Sequence, residues 1–157
     1  MSKPTHAGLP SNRSKLLQTA LSVIDGYNSW SLSEIASPRT KDCTQQCHPM
    51  SLKGPLYTSP EEYCEYYKTM IPLFRNFKME VIGYAEDQTQ NKVIFHAMAT
   101  AETDVGPYEN EFVWMIQTTQ DQDKVCGIRE FLDSAYTVDF LKKMWERMQE
   151  EGKTTWG

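Results

Sequence analysis

The sequence predicts an α+β domain, with helices first and an antiparallel sheet after them. A change of pattern predicts it. Before Phe74 the apolar residues recur mainly at helical spacing, and from Phe77 they alternate with polar ones at a period of two. The period-two segments also follow one another through short turn clusters. That makes a meander with helices on one side rather than a parallel βαβ array. The 157 residues are enough for one domain, spanning residues 14–148 between a flexible tail at 1–13 and a polar tail at 149–157.

Leu17, Ala20, Leu21, Ile24 and Tyr27 share one face of a first helix, which Ser14 caps. A short second helix at Ser31–Ile35 is stopped by Pro38. Residues 36–58 carry Pro38, Cys43, Cys47, Pro49, Gly54 and Pro55 and read as irregular. A loop of that length in a compact domain often forms a lid or a site wall. Ser59-Pro60-Glu61-Glu62 then opens a third helix: Ser59 caps it, Pro60 takes the first position and Glu62 completes a capping box. That helix carries Tyr63, Tyr66, Tyr67, Met70 and Ile71 towards Phe74, and Pro72 kinks or ends it.

The strands begin with Phe77, Met79 and Val81. Asp87–Asn91 is a turn cluster, and Lys92–Glu102 is a long strand with Val93, Phe95, Ala97, Ala99 and Ala101 on one face. Gly106-Pro107 breaks the chain before a strand at Asn110–Thr119, whose Phe112, Trp114 and Ile116 share a face. The last strand, Lys124–Asp133, puts Cys126, Ile128, Glu130 and Leu132 together. Thr137 caps a closing helix through Phe140, Leu141, Met144 and Trp145. Both faces of these strands are fairly apolar, so the sheet is expected to curve round a cavity, with helices on one face and a subunit partner on the other.

Composition excludes several functions. Hydrophobic residues make up 39% and charged residues 24%, which is globular. No run approaches the ~18–20 apolar residues that span a bilayer. The net charge of −5 argues against a nucleic-acid groove. Residues 1–14 lack the apolar core of a secretory signal, which points to the cytosol and to four reduced cysteines. Cys43-x3-Cys47-His48 lacks the paired spacing of a zinc site. There is no Gly-rich phosphate loop, dinucleotide fingerprint or nucleophile elbow, so neither a cofactor nor a metal is indicated.

Three residues carry the candidate chemistry. Glu130 has apolar neighbours on its own strand face, where desolvation raises a carboxyl's pKa towards that of a general acid or base. Its structural alternative is an ion pair with an arginine. Tyr108, at the mouth of a strand, either donates to a substrate oxygen or packs the cavity rim. Arg39 is either an anion-holding fork or a surface residue. His48 either touches the pocket or caps a turn, and His96 sits mid-strand as a core residue or a base. Tyr63, Tyr67, Phe95, Phe112 and Trp114 are the expected substrate-binding walls, with His48 at the edge.

Five motifs occur in order: Ser37-Pro38-Arg39-x3-Cys43, Pro49-Met50-Ser51-Leu52, Leu73-Phe74-x-Asn76-Phe77, Gly106-Pro107-Tyr108-x-Asn110-Glu111-Phe112 and Glu130-Phe131-x-Asp133-Ser134. Together they resemble the fungal SnoaL-like proteins of the nuclear-transport-factor-two-like superfamily, over residues 14–148. The resemblance implies a cone-shaped roll: a strongly bent sheet, N-terminal helices closing its concave side, and a homodimer through the sheet. It also implies a cofactor-free isomerase or cyclase acting on a meroterpenoid, polyketide or indole alkaloid. Matched motif to motif, the family's arginine, tyrosine and acid fall on Arg39, Tyr108 and Glu130. The family's usual Asn-Glu-Tyr ends here in Phe112, which lacks the phenol.

The resulting expectation is an acid–base isomerase or cyclase for a small hydrophobic natural product. A dehydratase on the same fold, a non-catalytic carrier of a hydrophobic metabolite and a protein-interaction domain are the rivals. A large pocket lined by Tyr63, Tyr67, Phe95 and Trp114 would count against the last of these.

Overall fold

The computed structural model describes residues 4–152. The elements run α1 (Lys15–Ser29), α2 (Leu32–Ala36), β1 (Arg39–His48), α3 (Pro60–Tyr67), β2 (Arg75–Asp87), β3 (Lys92–Thr103), β4 (Gly106–Thr118), β5 (Val125–Leu132) and α4 (Ser134–Glu150). The layout is the expected α+β: helices packed on a curved sheet. Strand order is β1-β5-β4-β3-β2.

The four later strands form the antiparallel meander. The sheet as a whole is mixed, because β1 joins β5 in parallel. This corrects the irregular reading of 36–58 over residues 39–48, while 49–58 stay irregular apart from a 3-10 turn at Met50–Leu52. Arg39, Cys43, Gln45 and Cys47 face inward and Thr40, Asp42, Thr44 and Gln46 outward, so both faces of β1 are polar or small and no apolar alternation betrays it. Tyr57 covers the free edge of β1 through two backbone hydrogen bonds with Gln45, at 3.0 and 2.9 Å.

The N-caps follow the sequence. Ser14 accepts from Leu17 N at 3.0 Å, and Ser59 accepts from Glu62 N at 3.1 Å. Glu62 returns to the backbone of Thr58, one residue before the expected capping-box partner. Each cap contributes about 1 kcal/mol. Each fully buried Leu or Ile of α1 contributes about 1.5–3 kcal/mol, so the apolar face, not the cap, holds α1 on the sheet. Asn28 fixes its position by bonding both backbone groups of Met79, donating to the carbonyl at 2.8 Å and accepting from the N–H at 2.6 Å. Register shifts in β2 near Lys78 and Gly83 bend the sheet towards the helices.

Several boundaries move. The third helix ends at Tyr67, and Ile71–Leu73 form a separate 3-10 turn around Pro72. β4 starts at Gly106, whose φ of +111° makes the β3–β4 turn without breaking the strand. The cap of α4 is Asp133, which accepts from Tyr136 N at 3.1 Å, one turn before Thr137. A bulge opposite Gln117 and Thr118 turns Val125 inward and takes Cys126 off the Glu130 face.

The expected flexible tail is docked over its described part. His6 is buried; its Nδ1 accepts from Val81 N at 3.1 Å and its Nε2 meets Asp25 at 3.1 Å. Gly8 N donates to Val81 O at 3.0 Å. A Cβ at Gly8 would lie 2.2 Å from the backbone of Ile82. Gly8→Ala is therefore expected to lift this segment, with the Val81 amide exchanging at least about tenfold faster with deuterium. Unchanged exchange would show that the contact does not hold the segment. Residues 1–3 and 153–157, the ends of the two predicted tails, lie outside the described residues.

Candidate active site

The concave face of the sheet, α1, α3 and α4 enclose a cavity of about 400 Å³, a size that takes one small organic molecule. Its walls are aromatic. Tyr27 comes from α1 and Trp30 from its C-cap, Tyr63, Tyr66 and Tyr67 from α3, Tyr108, Phe112 and Trp114 from β4, and Phe140 from α4. Tyr63 stacks on Tyr67 at 5.3 Å and Phe112 on Trp114 at 5.6 Å, so these rings are held by neighbouring rings. The indole N–H of Trp114 is buried without a partner among the described residues.

Glu130 is the one carboxylate in this wall. It sits mid-sheet, between Cys47 of β1 and Trp114 of β4. Burial pushes its pKa up to about 7, although the charge of Arg39 and a hydrogen bond from Gln45 pull it down. Part of its surface remains open, and that opening is the cavity. Its charge acts on Tyr27, Tyr57, Tyr63, Tyr66, Tyr67 and Tyr108, which places it centrally among the phenols. Burial keeps those phenols protonated, so they are donors. Burial and the Glu130 charge push the Cys47 thiol up to about 12, which makes it a poor nucleophile.

Arg39 does not line the cavity. It lies behind the wall, its guanidinium 5.0 Å from the Tyr63 ring centre. Nε donates to Ile35 O at 2.9 Å, Nη1 to Gln45 Oε1, and Nη2 to the Tyr27 hydroxyl at 3.2 Å. Gln45 Nε2 donates to the same hydroxyl at 3.0 Å, and the Tyr27 and Tyr63 hydroxyls are 2.7 Å apart. Tyr108 does line the cavity, and Asn110 Nδ2 donates to its hydroxyl at 3.0 Å.

The other expected residues divide. Tyr63, Tyr67, Phe112 and Trp114 line the cavity, as does Glu130. Phe95 and His48 do not. Phe95 is fully buried in the core. His48 follows inward-facing Cys47 on a strand, so it points to the outer face and stacks on Phe131 at 4.7 Å. That alternation also dismantles the Cys43–Cys47–His48 set. No group of three metal-ligating side chains occurs among the described residues. Four residue steps of extended strand separate Cys43 from Cys47 by roughly 13 Å, too far for a disulfide. His96 is on the outer face too, 2.6 Å from Glu111. Gln45 and Tyr27 were not singled out: Gln45 fell in the segment read as irregular, and Tyr27 continued an apolar helix stripe. The run of three tyrosines within one turn of α3 was the available signal.

Comparison with known proteins adds the lineage. No family model matches the chain. Isomerase PrhC of Penicillium brasilianum is 30% identical over 93% of this chain and 85% of its own. Austinoid biosynthesis clusters protein F of Emericella nidulans is 31% identical over 87% and 78%. The fold agrees with a putative SnoaL-like polyketide cyclase from Shewanella denitrificans, at 9% identity and a TM-score of 0.70 over 83% of this chain and 98% of that one. The chain belongs to the fungal SnoaL-like family. Within it, the solved structure of PrhC superposes with a TM-score of 0.80 at 26% identity, covering 88% of this chain and 93% of that one. The BvnE pinacolase of Penicillium brevicompactum gives 0.81 at 24% identity, over 85% and 96%. A relative from Aspergillus novofumigatus named monooxygenase NsrQ is 28% identical over 77% of this chain and 80% of its own. No helix among the described residues is long and apolar enough to cross a membrane.

Proposed function

We propose that the protein is a cofactor-independent isomerase or cyclase of fungal secondary metabolism. It works in the cytosol on a small, neutral, hydrophobic metabolite, with Glu130 as the acid–base group. The observation that carries the reading is a lone carboxyl with a pKa near 7 in an aromatic cavity, which is the poise of a group that must both take and return a proton. Relatives named isomerase and pinacolase support a rearrangement in which no atom is gained or lost overall. Phe112 removes one phenol and leaves Tyr27, Tyr57, Tyr63, Tyr66, Tyr67 and Tyr108 as the wall tyrosines, so the donor set differs from the one the resemblance implies. The exposed apolar residues of the outer sheet face, among them Ile94, Val113 and Phe131 at 37–39% exposure, are the surface that a second copy would cover.

Metabolite profiling of the source organism, with the gene deleted or carrying Glu130→Gln, tests this. Both strains should lose one product and accumulate a precursor of the same molecular formula. A formula differing by one oxygen atom would make the step an oxygenation, and one differing by water a dehydration. Normal product in the Glu130→Gln strain alone would leave the protein as a carrier.

A further inference from the structure

The hydroxyls behind the cavity wall have a determinate proton order. Arginine can only donate. Gln45 must therefore turn its Oε1 to Arg39 Nη1, which leaves its Nε2 as the donor to Tyr27. The Tyr27 oxygen then receives two donors, Gln45 Nε2 and Arg39 Nη2, and both of its lone pairs are used. Its own proton has one destination left, the Tyr63 oxygen at 2.7 Å. Tyr63 thus accepts, and its own proton has no acceptor among the described residues. The chain begins on a buried cation and ends on an unspent O–H in the wall that Glu130 shares.

We propose that the Tyr63 hydroxyl is the donor that holds the reacting carbonyl oxygen of the substrate, with Arg39, Gln45 and Tyr27 as positioning residues behind it. The proposal rests on the isomerase reading above and names the substrate class: a hydrophobic metabolite carrying a ketone. Glu130 removes a proton from the carbon beside the carbonyl, and the C–H electron pair moves into the C=O. The Tyr63 O–H holds the enolate oxygen. For the proton to move, the ketone must also carry a C=C attached to the carbon that loses it: the enolate extends through that C=C, and protonated Glu130 returns the proton to its far end as the C=O re-forms. Each donation towards Tyr63 polarises the next, so its O–H is the stronger for ending a chain that starts on a charge.

Tyr108 is the rival hydroxyl that a side chain also positions, and the same bookkeeping ranks it lower. Asn110 Oδ1 accepts from Glu111 N at 2.9 Å, so its Nδ2 is the donor to Tyr108. Tyr108 also has a free proton, but the group behind it is a neutral amide. Tyr63 is also clamped, with the Arg39 guanidinium 5.0 Å from its ring centre and Tyr67 stacked at 5.3 Å.

The test uses 2-acetylnaphthalene, an aromatic ketone, as an infrared probe. At pH 8.5 Glu130 is ionised and cannot itself donate. In the unaltered protein the bound C=O stretch should lie below its value in hydrocarbon solvent. Tyr63→Phe should abolish most of that shift and weaken binding about three- to tenfold, the loss of one hydrogen bond. Tyr27→Phe, which keeps the Tyr63 hydroxyl, should reduce the shift without abolishing it, and Tyr108→Phe should leave most of it. Circular dichroism identifies any variant that fails to fold, in which case the Tyr27→Phe result decides. A shift that survives Tyr63→Phe, or that Tyr108→Phe removes, overturns the assignment. So does a ketone that does not bind. None of these readings needs turnover. Normal product from the Glu130→Gln strain would sink the isomerase reading while leaving the donor assignment to the probe.

Discussion

Replacing Glu130 with glutamine should lower turnover by about 10²–10⁴-fold and stabilise the folded protein at pH 8. The two effects have one cause. Burial holds the Glu130 carboxyl near 7, whereas in the unfolded chain it titrates near ~4.3. Below that lower value both states carry the proton. Between about 4.3 and 7 the native state binds a proton that the unfolded state has released, so stability falls as pH rises. Above about 7 both are ionised and the loss is complete. The shift alone would convert to somewhat over 3 kcal/mol, and the partial opening of the carboxyl to the cavity reduces the expectation to about 2–3 kcal/mol. Glutamine keeps the shape and never ionises. The variant should therefore lack this slope, and above pH 7 its Tm should exceed that of the unaltered protein by roughly 4–12 °C. Urea unfolding of both proteins at pH 5 and pH 8 measures it. Equal pH slopes would show that Glu130 titrates at its ordinary value, and would remove the physical basis for its acid–base role.

What the sequence makes legible follows what its side chains repeat. Val93, Phe95, Ala97 and Ala99 write a strand face in plain alternation, and the meander was readable from such runs. β1 was not, because the inward positions of this strand are Arg39, Cys43, Gln45 and Cys47. Gln45 and Cys47 line the cavity and Arg39 stands behind its wall, and a strand that builds a polar site cannot also advertise an apolar period. The same conflict hid Gln45. Glu130 was legible because it is the one charged residue on the inward face of β5. The placement of Phe95 was not: which inward residue meets the cavity and which meets the rest of the core is decided by packing, and no local pattern records that. The outward turn of His48 was hidden with the alternation of β1. Arg39 was picked out by motif, yet its burial behind Tyr27 and Tyr63 is a tertiary fact.

That burial makes Arg39 the second large expectation. Arg39→Met should destabilise the protein by about 3–5 kcal/mol, because Ile35 O, Gln45 Oε1 and the Tyr27 hydroxyl each lose a charged donor inside the protein. It should also move the titration of Glu130 further up, since the guanidinium is the main influence holding that carboxyl down. Arg39→Lys separates charge from geometry. An ammonium restores the positive charge, so Glu130 should titrate close to where it does in the unaltered protein. It lacks the planar fork, so the donors to Gln45 and Tyr27 cannot both be replaced. The carboxyl C=O infrared band of Glu130, followed against pH, reads the first effect, and urea unfolding reads the second. Lysine should recover the titration but less than half of the lost stability. Recovery of both would show that a point charge suffices and that the ordered chain to Tyr63 is incidental. Recovery of neither would mean that Glu130 responds to the shape of the wall rather than to the cation behind it.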